Sequence, residues 1–252
     1  MTDILQSAKY CVSNAQRHMG TLDSELHSFF GTKPFRRVIE FDHRGPADIH
    51  KLKLINQFPD MLSGIAFDAI SNLRAALDQA AYAVAKAAGG AGKNAYFPFG
   101  DTEAEAASRK TGGSREIPDS VFSAMLSSKP YREGNVFLWG LNRLCNYNKH
   151  RFIVPTAIYT GGGHLRHAHF TSFHEFYFPP RWDNVKQEMI IAVLPHRAPF
   201  TMDMQIQTYV SFADVAGLPM SDCSYVLEQC TQAVQNALMN IETECKALGL
   251  QK

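Results

Sequence analysis

The residues best suited to chemistry lie between Asn135 and Arg151. Asn135, Trp139, Asn142, Asn146 and Lys149 recur at steps of four, three, four and three, which places them on one stripe of a helix. Arg143, Tyr147 and His150 form the neighbouring stripe. Asparagine is a poor helix former, yet Asn142, Asn146 and Asn148 fall within one short run. Amide groups beside an imidazole and two cations suit the recognition of a polar or anionic ligand. They also suit acid–base work, with His150 moving a proton and Arg143 and Lys149 neutralising phosphate charge. A plainer reading is that Lys149, His150 and Arg151 complement the negative end of a helix.

A second stripe comes from an earlier segment. Asp68, Asn72 and Gln79 are spaced by four and seven, and Arg74 and Asp78 form an i,i+4 pair beside them. The positions between are apolar: Ile65, Ala66, Ala69, Ile70, Leu73, Ala76 and Leu77. Such a stripe is either a solvated face or a polar seam against another helix. Buried asparagines need partners, so the two stripes are expected to face each other, with Asp68, Asn72 or Arg74 reaching Asn142, Asn146 or His150. Trp139 and the loop Tyr96-Phe97-Pro98-Phe99 would supply apolar walls. A third group, His164, His167, His169 and His174, includes an H-x-H pair on one strand face. No carboxylate or cysteine motif completes it, so it reads as a surface histidine cluster, with no metal and no cofactor expected. A nucleophile elbow, a phosphate-cradling glycine loop and a dinucleotide fingerprint are absent from the sequence.

These candidates must be held by ordinary elements. The 252 residues carry 25 Lys+Arg against 24 Asp+Glu, and 45% are apolar. That balance excludes dominant disorder and a polybasic nucleic-acid binder, leaving only a local basic patch open. Residues 2–30, 59–88, 132–149 and 221–248 have helical periodicity. Residues 35–55 alternate as a hairpin, and 151–212 break into four strands around Gly161-Gly162-Gly163, Pro195–Pro199 and Gly217–Pro219. Pro118–Leu126 reads as a short helix and 93–118 as a polar loop. The expected class is α+β. A bundle of about four long helices packs with a β-hairpin and a four-stranded antiparallel sheet in a single domain, and the first and last helices pair. No apolar run reaches membrane-span length, and Asp3 interrupts any leader. Five cysteines without a C-x-x-C pair read as reduced packing residues. Together these features place the chain in the cytoplasm, with no membrane partner.

The segments Asn72-Leu73-Arg74-Ala75-Ala76-Leu77-Asp78-Gln79 and Asn146-Tyr147-Asn148-Lys149-His150-Arg151 resemble an uncharacterised group of bacterial proteins. That group carries N-L-R-x-A-L-D-H and N-x-x-K-H-R, so Gln79 stands where the pattern has His. The spacing from Arg143 to His150 also resembles the R-x(4–6)-H motif of HEPN-type ribonucleases, although Leu144 follows the arginine where that family prefers a polar residue. This second resemblance implies an all-helical homodimer that cleaves RNA without metal through the 2′-hydroxyl, with Arg143 and His150 as the working pair. The segment 151–212 is foreign to a minimal domain of that kind. Three functional expectations follow. The first is a small polar or anionic ligand, a nucleotide among them, bound by Asn142, Asn146, Asp68, Asn72, Arg74 and Trp139. The second is ribonuclease or phage-defence chemistry at His150, Arg143 and Lys149. The third is an interaction module whose polar seam fixes helix register.

Overall fold

A computed structural model describes residues 3–43, 45–146, 153–159, 166–170, 175–176, 181–203, 206–212, 218 and 221–250. The protein is α+β. The chain divides into two compact units: residues 1–24, 60–152 and 212–252 form the first, and residues 25–59 and 153–211 the second. No helix among the described residues is long and apolar enough to cross a membrane.

The first unit is helical. Helix α1 spans Gln6–Gly31 and buries Ala8, Val12, Ala15 and Leu22, the spacing expected of one apolar face. Helix α2, Met61–Ala87, buries a stripe of Ala66, Ala69, Ile70, Leu73, Ala76, Leu77, Ala80 and Val84. The many alanines let neighbouring helices approach closely. It ends because Gly89 takes a φ of 88°, so that the Gly89 and Gly90 amides fold back onto Lys86 and Ala85 at 3.1 and 2.8 Å. Helix α6, Cys223–Ala247, starts at Asp222, whose carboxylate accepts from the Ser224 amide at 2.9 Å. The first and last helices pair, as expected, and run antiparallel. Lys9 bridges Glu242 at 2.9 Å and the Ser224 hydroxyl donates to Asp23 at 2.6 Å. All five cysteines are free. Burial pushes the Cys230 thiol up to about 12, in keeping with a packing role.

Two boundaries differ from the periodicity. Helix α5 spans Val136–Cys145 rather than starting at residue 132. Lys129, at a φ of 52°, turns the chain, and Asn135 accepts from the Phe137 and Leu138 amides at 3.1 Å. Asn135 is therefore the cap of the helix and not a member of its polar stripe. The polar loop 93–118 also holds structure. Thr102 and Glu105 cap helix α3, Glu103–Ser108, the threonine accepting from the Glu105 amide and the glutamate from the Asp101 amide. Helix α4, Asp119–Ser127, lies where the short helix was expected and packs on α6.

The second unit carries the sheet. Strands β1 (Phe35–Asp42) and β2 (Ala47–Leu54) form the hairpin in an unbroken register from Phe35↔Leu54 to Asp42↔Ala47. Of the later strands, β3 is Ile153–Tyr159, β4 Arg166–Phe170, β5 Glu175–Phe176 and β6 Trp182–Asp183. Strands β7, β8 and β9 are Glu188–Pro195, Phe200–Asp203 and Ile206–Phe212. The hairpin is not a separate element. Strand β2 pairs β7, giving a sheet ordered β1-β2-β7-β5 with β6 also on β7, while β3 pairs β9 and β4 pairs β8. One face packs Leu52 and Met189 with Phe35 and Trp182, and the Phe35 and Trp182 rings meet edge-on at 5.5 Å.

The sheet also holds an ion network. Lys51 bridges Glu40 at 2.6 Å and Glu188 at 3.0 Å, and Lys53 reaches Glu40 at 3.0 Å. Lys51 and Glu188 are only 8% and 7% exposed. Burial pulls the Lys51 ammonium down, but its hydrogen bonds to Glu40 and Glu188 outweigh this and leave its pKa above the usual 10.5. Hydrogen bonds from Lys51 and Lys53 hold the Glu40 carboxyl below 4.5.

The network therefore stabilises fully above the unfolded glutamate value and below the unfolded lysine value. Its contribution should be level from about pH 5 to about pH 10, lost as pH falls through the depressed Glu40 value and as it rises through the raised Lys51 value. Removing one buried partner strands the other, so Lys51→Ala should cost about 3–5 kcal/mol in urea unfolding, and Lys51→Met with Glu188→Leu should recover most of it.

Candidate functional site

Helices α2 and α5 pack side by side within the first unit. Leu73 and Leu77 from α2, with Leu138, Leu141 and Leu144 from α5, are fully buried. That apolar interlock fixes the rotation of both helices and turns Arg74 toward Asn142. Arg74 Nε donates to Asn142 Oδ1 at 3.2 Å. The same guanidinium bonds Asp78 one turn along α2 and lies over the Phe99 ring at 4.3 Å. Asp78 in turn accepts from the Phe97 amide at 3.1 Å. One carboxylate thus holds both the arginine and the loop that supplies its aromatic platform.

A second aromatic centre adjoins on α5. The buried Trp139 ring has Arg132 on it at 5.6 Å and Arg143 at 5.7 Å. Its indole N–H donates to Asp101 Oδ1 at 2.7 Å, and the Arg132 amide donates to the Asp101 carbonyl at 3.3 Å. The segment 97–101 therefore touches both helices through Phe97, Phe99 and Asp101.

The other expected residues separate. Asn72 donates to the Asp68 carbonyl at 2.8 Å and Asn146 to the Asn142 carbonyl at 3.0 Å, each within its own helix. Asp68 is exposed. Gln79 is exposed too and accepts from the Ser7 hydroxyl at 3.4 Å, on the α1 side of α2. Among the described residues, Arg74 and Asn142 make the expected cross-helix bond. Lys149, His150, Tyr147 and Asn148 lie outside the described residues, as do His164 and His174. His167 and His169 fall in β4. Among the described residues no three metal-ligating side chains converge.

Cys145 lies close enough to Arg74 and Asp78 to interact with both. Burial pushes its thiol up to about 11, only partly opposed by Arg74. It stays protonated near neutrality and is not poised to attack. The arrangement presents instead a planar cationic fork, oriented on three sides and 20% exposed, which is suited to a carboxylate or phosphate. The sequence pairs Arg74 with Asp78 by spacing. The loop carrying Phe97 and Phe99 was expected as an apolar wall, but the bonds that place it, from the Phe97 amide to Asp78 and from the Trp139 indole to Asp101, leave no local trace because these partners lie 19 and 38 residues apart. Comparison with protein-family models, curated proteins and solved structures returned no match.

Asp78→Ala leaves the buried Phe97 amide unpaired and frees Arg74, so it should lower unfolding free energy by about 1–3 kcal/mol. Asp78→Asn keeps an acceptor for Phe97 and loses only a part-exposed charge pair, so it should cost less than about 1 kcal/mol. Urea midpoints of the two variants, compared with wild type, check the division.

Proposed function

We propose that the α2–α5 face binds a small ligand bearing a phosphate or carboxylate group, a nucleotide being one such ligand. The observation that carries this reading is the Arg74 clamp: Asn142, Asp78 and Phe99 fix the guanidinium while leaving it in reach of solvent. An immobilised arginine loses less side-chain entropy on binding than a free one. Local charge supports the reading as well. From Arg143 to Arg151 the sequence has Arg143, Lys149, His150 and Arg151 and no acid. Asp78 offsets the charge of Arg74, so the added cations of this run are needed to draw an anion in. Trp139 and Phe99 supply flat apolar surfaces beside it, and Asn142 and Asn146 supply amides.

The second reading is metal-independent RNA cleavage. It is favoured by Arg143, which is exposed in the last turn of α5, and by its resemblance-derived pairing with His150. In that reading His150 moves the proton, and Arg143 and Lys149 stabilise phosphate charge. A homodimer and a cytoplasmic setting belong to the same proposal.

Titration with AMP, inorganic phosphate and a short oligoribonucleotide tests both readings. Trp139 fluorescence in a Trp182→Phe background reports occupancy. AMP should bind, and Asn142→Ala or Arg143→Ala should weaken it about tenfold or more without moving the melting temperature. No response to any of the three probes would remove the ligand reading. If the oligoribonucleotide is cut in the presence of chelator, and His150→Ala abolishes cutting by about 10²-fold or more, the ribonuclease reading replaces it.

A further inference from the structure

We infer that strand β1 is the interface of a homodimer, pairing antiparallel with β1 of a second copy to continue the sheet. This inference rests on the second unit alone and is independent of the ligand reading. Among the described residues β1 is the end strand of the sheet, with β2 on one side and no strand on the other. Exposed edges invite pairing, and proteins blunt them with bulges, prolines, inward charges or short strands. Strand β1 has no bulge, proline or shortening, and its four charges, Arg36, Arg37, Glu40 and Asp42, are of both signs. It is eight residues long, contains no proline or lysine, and keeps an unbroken register with β2. The bulge in this sheet lies further in, between His50 and Lys51 where β2 meets β7. The edge also displays apolar side chains, Ile39 being 64% exposed and Phe41 43%.

The strand is complementary to itself. Arg36 and Arg37 occupy its first half, Glu40 and Asp42 its second. A two-fold axis perpendicular to the sheet keeps each residue on its own face, so odd positions meet odd and even meet even. Centring the axis on Ile39 sets Ile39 against Ile39 and Arg37 against Phe41 on the face that carries Phe35. Arg36 then meets Asp42 on the other. Each of the last two pairings occurs twice, one a cation over a ring and the other an ion pair. Shifting the axis to Val38 sets Arg37 against Ile39, so that the exposed isoleucine no longer meets its own copy. The Ile39-centred register is therefore the better one. Backbone bonds supply the affinity and these side chains set the register, as in other strand-addition interfaces.

Sedimentation of the full chain across the micromolar range should show a monomer–dimer equilibrium. Ile39→Lys places two ammonium groups face to face and should weaken the dimer at least tenfold with an unchanged far-UV spectrum. Ile39→Cys tests the register directly. Opposed positions in antiparallel strands have Cα atoms about 4.5–5.5 Å apart, within disulfide range. Mild oxidation should then give a covalent dimer, while Val185→Cys, on a still more exposed turn, should not. A chain that stays monomeric throughout overturns the inference, whatever other partner the edge accepts. So does a dimer that withstands Ile39→Lys and fails to cross-link through Ile39→Cys.

Discussion

The Asp78 carboxylate ties the first unit's polar features into one arrangement. Its two oxygens serve two partners, Arg74 on its own helix and the Phe97 amide nineteen residues away. The first bond aims a guanidinium at Asn142 on α5, and the second draws the aromatic loop across it. Phe99 can then lie over the guanidinium, and Asp101 can reach the Trp139 indole. A part-exposed i,i+4 ion pair contributes little by itself. Its weight comes from the buried Phe97 amide, whose acceptor would otherwise be missing. Loop position and arginine orientation therefore share a single acceptor.

The second unit solves a different problem with the same chemistry. Lys51 and Glu188 are nearly inaccessible, so their attraction must offset the loss of two hydration shells. Glu40 and Lys53 extend the pair into a chain of alternating charge across three strands. Leu52 and Met189 can stay in their own cluster because the lysines leave from the opposite face. Buried charge here specifies register. A slip of one residue would carry Lys51 to the side of Leu52, and the pairing would be lost. In the helical unit the apolar stripes set the register, and polar groups are added at its rim.

Periodicity made the class and most elements legible. The stripes of α1, α2 and α6 repeat over many turns, and the hairpin alternates on both sides of its turn. The pairing of the first and last helices followed from their unpaired apolar faces, and the structure adds that it is antiparallel. What the sequence obscured was local. Asn135 keeps perfect stripe spacing but serves as a cap, because the Lys129 turn starts the helix late. The Thr102–Glu105 cap was hidden in a polar stretch too short for a periodic signal. The joining of the hairpin to β7 is a long-range pairing with no local mark. The candidate site was half legible. Arg74 and Asn142 were brought together by two helical stripes, as their spacing indicated. Asn72 and Asn146 bond their own helices instead, since an exposed asparagine can satisfy itself on the carbonyl one turn back.

That division among the asparagines separates scaffold from site. An asparagine bonded to its own helix constrains nothing beyond it, whereas Asn142 fixes a group on another element. Among the described residues, Arg74 bonds through Nε and one terminal nitrogen, and its remaining edge and its outer ring face are the parts an anion could use. A ligand there would add to the clamp without displacing Asn142 or Asp78. Fixing helix register and presenting a cation are thus one arrangement viewed from its two sides. The interlock that makes the seam an adequate packing device is also what would keep the guanidinium in place for a ligand. The chemistry beyond binding depends on what the chain adds next to it, and the cations that follow Asn146 in the sequence are the groups with the right charge to do so.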